Sequence, residues 1–407
     1  MAKRLAIPHK YVALEVVGLR DVYKAARIQR VTATADQATT TIDELGNSQH
    51  AGSSKDLANV TVTFQSMDVS HKLIATLAGI APSGTAPLGF PQFGLDLTGA
   101  SGIGKAVDVI IRVRDETATQ YVKAAHLRRM TVQSFTFNYS VDGDSTEEYT
   151  AIGSSKRWFK NDIVVDKFGT GTTSFTLSEA PKVLKSGKYA MTCLMNGAYL
   201  EEVSVAPSAG EYRIVGSTLT TGSARTSQFL IVVYQSPALA NDAWTDVLDA
   251  TIPAAIKGKD VGVLIAASGV ARGQSVTING NFNPTPVREM GNREIVGYLA
   301  QVPEVTGTIT VLDTDTDLLA LLSGSSPNLD TEYPIGQCGT AGVPLEIKLY
   351  DPSDCVEPLD IKKSIYLPLI SITSEGFTQN VNDNAQQTFD WRSDTGQVIV
   401  YSGLRAP

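Results

Sequence analysis

The charge balance of the chain argues against tight binding of nucleic acid. Its 407 residues carry a formal net charge of −8, so no excess of lysine and arginine is available to neutralise phosphates. The length allows two or three domains, each large enough for its own hydrophobic core. Glycine, serine and threonine are plentiful and helical patterns are few, which favours a mainly β fold.

Cysteine usage and hydropathy indicate a protein that is made and folded in a cytosol. Cys193, Cys338 and Cys355 are odd in number and lack the paired spacing of metal ligands. We therefore expect reduced thiols rather than disulfides. The first residues are basic without an apolar run of signal-peptide length, and no segment is long enough to span a bilayer.

The first part of the chain has the pattern strand, long loop, strand, helix. Before it, residues 11–17 fit either a strand or an arm that reaches a neighbouring molecule. Val60–Phe64 alternates apolar and polar residues, as in a strand buried on one face only. Asp68 is then a candidate N-cap for a short amphipathic helix that ends before a glycine. The connection Ile42–Asn59 is longer than most hairpin loops, and such loops are usually functional or disordered.

The same pattern recurs later in the chain at a constant offset. Val31–Gly79 aligns with Val276–Gly324 without insertion or deletion, since 276 − 31 = 245 and 324 − 79 = 245. The second copy has its long loop at Val287–Glu304 and its helix after Asp313. The identical pairs are Val31/Val276, Thr32/Thr277, Thr40/Thr285, Glu44/Glu289, Gly46/Gly291, Asn47/Asn292, Gly52/Gly297, Val60/Val305, Thr61/Thr306, Thr63/Thr308, Asp68/Asp313, Leu73/Leu318, Ala75/Ala320, Leu77/Leu322 and Gly79/Gly324.

Weaker matches extend the duplication towards both ends of each copy. Asp115 matches Asp351 (351 − 115 = 236) and Phe137 matches Phe377 (377 − 137 = 240). The copies therefore cover about Val12–Trp158 and Val263–Pro407, with short insertions and deletions in their loops. We conclude that the chain contains one kind of domain twice.

The residues between the two copies have a different pattern. Short strands separated by turn residues at about ten-residue spacing are typical of a small β-sandwich. They are predicted at Thr172–Leu177, Met191–Gly197, Glu211–Val215 and Phe229–Tyr234. The sequence thus predicts a mainly β protein of two tandem β-sandwich domains, each with one short helix, and a small Ig-like β-sandwich inserted between them. We place the domains at residues 1–158, with an N-terminal arm, 159–256 and 257–407.

Apparent motifs in the sequence do not support an enzyme. Gly99–Lys105 has the spacing of a phosphate-binding loop, but Ala106 stands where a magnesium ligand is needed and a strand is predicted next. Asp313–Asp317 has the alternate carboxylates of a calcium loop, but Leu318 occupies the position that requires glycine. The four histidines are scattered without a nucleophile motif nearby. We predict no catalytic residue, no cofactor and no metal site.

The repeated pattern resembles the tail tube proteins of long-tailed, non-contractile bacteriophages. Phe135–Gly143 with Glu147–Tyr149, and Glu375–Val381 with Thr388–Trp391, look like the final hairpin of that family. The likeness covers both copies and excludes the middle module, and the duplicated arrangement is similar to that of flagellum-targeting Chi-like siphophages. It implies a virion structural protein with two tube-type domains and an outward module, assembled in the host cytoplasm.

The resemblance also implies partners. Tubes of this family are stacked rings of six tube domains around a DNA channel, so two such domains per chain require three chains per ring. Each chain would contact copies of itself, a tape-measure protein, and tail-tip and tail-terminator proteins. Double-stranded DNA would pass without specific binding, and no membrane is involved. The alternative is a β-rich baseplate hub or adhesin-type binding protein of a virion, which would remain a discrete oligomer.

Two sets of residues are predicted to serve this assembly. Residues shared by the two long loops would bridge stacked rings: Glu44, Gly46, Asn47, Gly52, Glu289, Gly291, Asn292 and Gly297. Polar residues on the wet faces of strands are candidates for the channel lining: Thr32, Thr61, Thr63, Thr136, Asn138, Ser140, Thr277, Asn279, Thr306, Thr308, Thr310, Thr378 and Asn380. An outward position facing solvent fits any one of them equally well, and the sequence does not tell which sheet faces the channel.

Overall fold

The protein is mainly β, as its composition predicts. The computed structural model describes residues 12–19, 21–25, 27–42, 52–67, 71–79, 94–99, 102–114, 121–153, 155–160, 163–169, 172–185, 187–195, 198–222, 230–235, 256–270, 272–291, 295–299, 301–312, 318, 342–352, 360–379, 384–403 and 405. Its strands fall into three groups along the chain, which we call the N-terminal, middle and C-terminal units.

The N-terminal unit contains helix α1 (His71–Ala78) and eleven described strands. They are β1 (Val12–Val17), β2 (Val22–Lys24), β3 (Ile28–Asp36), β4 (Thr39–Ile42), β5 (Gly52–Lys55), β6 (Asn59–Ser66), β7 (Leu95–Asp96), β8 (Ala106–Arg114), β9 (Tyr121–Ser140), β10 (Thr146–Gly153) and β11 (Ser155–Lys160). The middle unit contains β12 (Val164–Phe168), β13 (Ser174–Thr176), β14 (Met191–Met195), β15 (Ala198–Tyr199), β16 (Glu201–Glu202), β17 (Glu211–Val215), β18 (Thr218–Thr221) and β19 (Leu230–Tyr234).

The C-terminal unit begins with a short 3-10 helix, Gly258–Asp260. Its described strands are β20 (Val261–Ile265), β21 (Ser268–Gly269), β22 (Gly273–Asn281), β23 (Thr285–Val287), β24 (Gly297–Leu299), β25 (Glu304–Leu312), β26 (Val343–Tyr350), β27 (Ile361–Thr378), β28 (Gln386–Ser393) and β29 (Ile399–Ser402).

The N- and C-terminal units have the same strand order in two sheets. The first sheet has the order β3-β6-β10-β9 in one unit and β22-β25-β28-β27 in the other. The second sheet has the order β2-β1-β8-β9-β11 and, correspondingly, β21-β20-β26-β27-β29. The strands β9 and β27 are long because each belongs to both sheets of its unit. The repeat in the sequence is thus a repeat of topology.

The registers of the two units agree pair by pair. Thr32 lies opposite Thr63, and Thr277 lies opposite Thr308, both shifted by 245 positions. Where β9 pairs with β10, Gln133 is an extra, unpaired residue on β9, and Thr373 is the equivalent extra residue on β27. Because a bulge bends a strand and increases its twist, it marks where β9 and β27 pass from one sheet to the other.

Helix α1 forms as the sequence predicts and packs beside β1 and β2 in the N-terminal core. Leu73, Ile74 and Leu77 are buried on its inner face. Gly79 follows it with φ +72, a left-handed conformation that glycine adopts without steric cost. The equivalent helix predicted after Asp313 lies mostly outside the described residues, of which Leu318 alone is helical there.

The hydrophobic core of the two repeated units is one continuous cluster. It forms because period-two strands such as β6 direct Val60, Val62 and Phe64 inward and their polar neighbours outward. Burial of each such side chain contributes roughly 1.5–3 kcal/mol to the free energy of folding. The middle unit has its own core between two four-stranded sheets, β12-β19-β14-β15 and β13-β18-β17-β16.

Candidate functional site: a polar sheet face with two free edges

The first sheets of the N- and C-terminal units join edge to edge. Strand β9 pairs with β22 over seven residue pairs, from Ser140↔Ser275 to Ser134↔Asn281. We call this pairing the internal joint. It produces one antiparallel sheet of eight strands in the order β3-β6-β10-β9-β22-β25-β28-β27, four from each repeated unit. One face of this sheet covers the core, and we call the other its polar face.

The candidate channel-lining residues within the described chain all share the polar face. One row across it runs from Thr32 through Thr63, Thr150 and Ser134 to Asn281. Parallel rows bring together the others, namely Thr61, Thr136, Asn138, Ser140, Thr277, Asn279, Thr306, Thr308, Thr310 and Thr378. None of these side chains is fully buried. Asn380 lies outside the described residues.

Hydroxyl groups on the polar face bind one another across strands. Thr277 Oγ1 and Thr308 Oγ1 are 2.8 Å apart, and Thr63 Oγ1 and Thr150 Oγ1 are 3.1 Å apart. Cross-strand threonine pairs of this kind stabilise a sheet by about 0.2–1 kcal/mol each. The face is therefore polar but mostly uncharged, and several of its threonine hydroxyl groups are hydrogen-bonded in cross-strand pairs.

Sequence reasoning missed the charged residues of this face. Arg30 Nη2 donates a hydrogen bond of 2.9 Å to Glu148 Oε2, and Ser374 Oγ donates one of 2.6 Å to Asp390 Oδ2. The described strands place two basic residues, Arg30 and Arg392, and four acidic residues on the face, giving 2 − 4 = −2. The acidic residues are Asp36, Glu148, Glu304 and Asp390. Their period-two spacing from the threonines is the signal that identifies them.

Behind the sheet, a buried ion pair crosses the internal joint. Lys363 Nζ on β27 donates to Glu147 Oε1 on β10, and both side chains are almost completely buried. Tyr149 donates a second hydrogen bond of 2.9 Å to the same carboxylate. The Lys363 ammonium also lies 5.1 Å from the centroid of the Phe137 ring. Burial, and then the Glu147 charge, raise the pKa of Tyr139 well above its usual value.

An aromatic ring packed against a glycine also stabilises the internal joint. A Cβ atom on Gly280 would lie 2.2 Å from Cε1 of Phe135, whose ring packs across the joint. Phe135 also contacts the Phe282 ring, with centroids 6.0 Å apart. The two repeated units are thus interlocked by strand pairing, aromatic packing and a buried charge pair.

Each of the two outer strands of the eight-stranded sheet has an edge that pairs with no other described strand, which we call its free edge. On β3, Lys156 Nζ donates a hydrogen bond of 2.6 Å to the Ala33 carbonyl at this edge. Within the described residues, β3 pairs only with β6, and residues 371–378 of β27 pair only with β28. Phe377 at this edge is 56% exposed, whereas its counterpart Phe137 at the internal joint is 0% exposed. Long, open sheet edges with apolar residues favour pairing with another chain. The sheet therefore ends in two edges whose backbone N–H and C=O groups can pair with a further strand.

The predicted long loops carry short ladders of their own. Strand β4 pairs with β5, and β23 pairs with β24, in two separate hairpins at equivalent places. Gly52 and Gly297 begin the returning strands, and Gly291 adopts φ +84 between β23 and β24, next to the exposed Glu289. Glu44, Gly46, Asn47 and Asn292 lie outside the described residues. The sequence predicted irregular loops because strands of three or four residues give too short an alternation to recognise.

The glycine- and lysine-containing segment before β8 has a local structural role. Lys105 Nζ donates a hydrogen bond of 2.9 Å to the carbonyl of Ala78 at the end of α1. A strand follows at Ala106, as expected. Lys105 therefore caps the C-terminus of α1, where a positive charge is favoured by the helix dipole.

A buried carboxylate attaches the middle unit to the N-terminal unit. Asp108 binds His126 Nε2 at 2.7 Å and the Arg129 backbone N–H at 3.0 Å, and it accepts a hydrogen bond from Tyr199 of the middle unit. The Arg129 guanidinium lies 4.3 Å from the centre of the Tyr199 ring. A shared apolar cluster surrounds the contact, with Ile110 from β8 and residues of the middle unit.

We expect the attachment of the middle unit to weaken in acid. Burial opposes ionisation of Asp108, but His126 and the hydrogen bonds to the carboxylate outweigh it and lower its pKa. Because the folded-state pKa lies below the unfolded value of about 3.9, this stabilisation is present above about pH 4 and is lost as pH falls through the folded pKa. Asp108→Asn should cost about 1–3 kcal/mol at pH 7 and remove part of the acid dependence.

Urea unfolding at pH 7 and at pH 3.5, monitored by tyrosine fluorescence, measures both effects. Asp36→Asn, which changes an exposed carboxylate on β3, is the control and should leave both curves unchanged. Equal acid sensitivity of Asp108→Asn and the unsubstituted protein would contradict the assignment.

Neither models of protein families nor curated protein sequences match the chain. Within the described residues, no helix combines the length and apolar character needed to cross a membrane.

Proposed function

We propose that the protein is a structural subunit of the tail tube of a long-tailed, non-contractile bacteriophage. In this role its N- and C-terminal units are two tube-type β-sandwich domains, and the middle unit is an Ig-like module on the outside. Stacked rings of the subunit would form the channel through which DNA enters the host. The tape-measure protein, tail-tip proteins and tail-terminator protein would be its partners in the virion.

The observation that carries this proposal is the internal joint. Two repeated units lie side by side with their sheets continuous, and free edges remain at β3 and β27. A ring results if each chain repeats this contact with the next chain, because a head-to-tail interface closes when its rotation divides a full turn. Three chains then contribute six units and one barrel of twenty-four strands. At ~4.8 Å between strands and ~40° tilt, its backbone diameter is roughly 48 Å.

The chemistry of the polar face supports a conduit for DNA. Hydroxyl and amide groups dominate it, and its charged side chains sum to 2 − 4 = −2 per chain, as counted above. A basic lining would bind phosphates in proportion to its lysine and arginine content. A weakly acidic lining of mostly uncharged polar groups would instead let the duplex move without attachment.

The attachment of the middle unit fits a position outside such a ring. Its apolar contact lies on the second sheet of the N-terminal unit, through Val17, Ile110 and Ala124. That sheet packs across the core from the polar face. A module on this side would leave the channel open, and its projection would collide with a contractile sheath, which supports a bare, non-contractile tail.

Electron microscopy of the purified full-length chain tests the proposal. We expect hollow tubes or rings with three chains each and pseudo-sixfold symmetry, with knobs on the outside from the middle unit. Six chains per ring would contradict the stoichiometry. A discrete, non-stacking oligomer that binds bacterial cells would favour a hub or an adhesin instead.

A further inference from the structure

We infer that β27 of one copy pairs with β3 of a second copy in the register of the internal joint, and that Glu375 and the second copy's Lys123 form an ion pair there. We call this contact the external joint. It rests on the proposed ring, and it specifies which atoms of two copies meet.

The register follows from the two offsets of the repeat. In the internal joint, Asn138 lies opposite Thr277. Position 138 corresponds to 378 because β9–β10 and β27–β28 have the same register at an offset of 240. Position 277 corresponds to 32 because β22–β25 and β3–β6 have the same register at an offset of 245. Thr378 of one copy therefore lies opposite Thr32 of the next, followed by the pairs Phe377↔Ala33, Gly376↔Thr34 and Glu375↔Ala35.

Exposure at the free edges agrees with this pairing. Phe377 is exposed where Phe137 is covered by the C-terminal unit. On the second sheet, Trp158 of β11 is 53% exposed. Val400 of β29 is its equivalent in the C-terminal unit, where it lies opposite Leu95 of β7 and is 0% exposed. Phe377 and Trp158 thus occupy the positions at which Phe137 and Val400 are buried at the contact between the two repeated units. A second copy with the same geometry would cover them.

The ion pair of the internal joint has a counterpart with exchanged positions. Lys123 corresponds to Lys363, since 363 − 240 = 123 and each lies opposite the equivalent residue of β8 or β26. Glu147 corresponds to the neutral Gln387, since 147 + 240 = 387. However, Gln387 Nε2 donates a hydrogen bond of 2.8 Å to Glu375 Oε1. The Glu375 carboxylate therefore lies next to Gln387, the position equivalent to Glu147 of the internal joint.

A single copy carries the two charges at different places, Lys123 on the second-sheet part of β9 and Glu375 on the free edge of β27. Lys123 is exposed, with Nζ 4.9 Å from the centroid of the Trp158 ring. Glu375 is half-buried at the opposite end of the eight-stranded sheet. In a head-to-tail contact, Glu375 of one copy approaches Lys123 of the next. In a contact between two identical edges, Glu375 would approach Glu375, or Lys123 would approach Lys123. The pair therefore favours head-to-tail contact and disfavours symmetric dimers.

A disulfide across the external joint tests the register. In the internal joint Val141 N–H donates to Gln274 O and Phe282 N–H donates to Gln133 O. Residues opposite each other alternate between hydrogen-bonded and non-hydrogen-bonded pairs, so Asn138 and Thr277 form a non-hydrogen-bonded pair, in which side chains are closest. Thr32→Cys with Thr378→Cys should thus form an intermolecular disulfide, which suits the short distance that this bond requires.

The expected product on non-reducing gels is a covalent ladder that ends at three chains, in near-complete yield after mild oxidation of assembled protein. The matched control, Thr34→Cys with Thr378→Cys, shifts one partner by two residues on the same face, to a diagonal position that is too distant. Cross-linking of the control instead of the test pair overturns the register. Tubes that form without any cross-link overturn the external joint and leave the proposed function standing.

Charge reversal tests the ion pair independently of the register. Lys123→Glu alone and Glu375→Lys alone should each raise the critical concentration for assembly at least tenfold. The double variant should return the critical concentration to that of the unsubstituted protein. Circular dichroism and thermal unfolding of each variant establish that the chain folds. If the double variant assembles no better than the single variants, Lys123 and Glu375 do not pair. Cross-linking that ends at another number of chains would refute the trimeric ring and retain the joint.

Discussion

Lys363→Ala should lower the free energy of unfolding by about 3–5 kcal/mol, because it leaves a buried carboxylate without its partner. Glu147 would retain hydrogen bonds from Tyr139 and Tyr149, but these do not replace a positive charge in a site closed to solvent. The loss should appear as one cooperative transition at lower urea concentration, since the core of the two repeated units is continuous.

The chain offers a matched control for this prediction. Lys123 occupies the same place in the N-terminal unit but is exposed, so Lys123→Ala should change the unfolding free energy of the monomer by less than about 0.5 kcal/mol. A double variant, Lys363→Met with Glu147→Leu, should recover most of the stability, because apolar side chains often replace a buried ion pair at little cost. Equal effects of Lys363→Ala and Lys123→Ala would show that the buried pair does not stabilise the internal joint.

Shortening either hairpin should abolish stacking of rings while leaving the rings themselves. Replacing residues 43–51 with Asn-Gly retains β4 and β5, because this dipeptide favours the tight turn of a two-residue hairpin. The hairpins pair within themselves and form sheets separate from the eight-stranded sheet. Shortening them therefore spares the internal joint and the core, and we expect at least a hundredfold fewer long tubes in electron micrographs.

The second hairpin provides the companion variant, in which residues 288–296 are replaced in the same way. Its exposed apolar residues, Met290 and Leu299, are candidates for the contact between rings. Sedimentation should show intact rings for both variants, with tube length reduced in each and reduced further in the combination. Tubes of normal length from either variant would mean that stacking depends on another surface.

The sequence predicted the elements whose side chains alternate over a long enough stretch. Strands β6 and β25 and the mainly β class are confirmed, because period-two burial leaves a readable pattern. Thr61, Thr63, Thr306 and Thr308 were selected from the same alternation. They share one face because antiparallel pairing preserves the period of two across neighbouring strands. The assignment of that face to a channel remains a prediction.

The internal joint could not be predicted, because it depends on residues distant in sequence. Lys363 and Glu147 are separated by 216 positions, and a lysine in the segment Ile361-Lys-Lys-Ser is expected to face solvent, since lysines are rarely buried without a partner. The attachment of the middle unit was missed for the same reason. His126 is a histidine within a strand, and only the fold brings both His126 and Tyr199 to Asp108.

The long strand β9 has a consequence for how the chain folds as it is synthesised. Its partner β22 ends at residue 281, whereas the N-terminal unit is complete at residue 160, so 281 − 160 = 121 residues must follow before the internal joint can form. At about 5–20 residues per second, the edge of β9 waits for roughly 6–24 s in the cell. During that interval it is open to wrong pairing with nascent chains on neighbouring ribosomes. The middle unit emerges in this interval and can fold at once from contacts close in sequence, which makes it a spacer in time as well as in space.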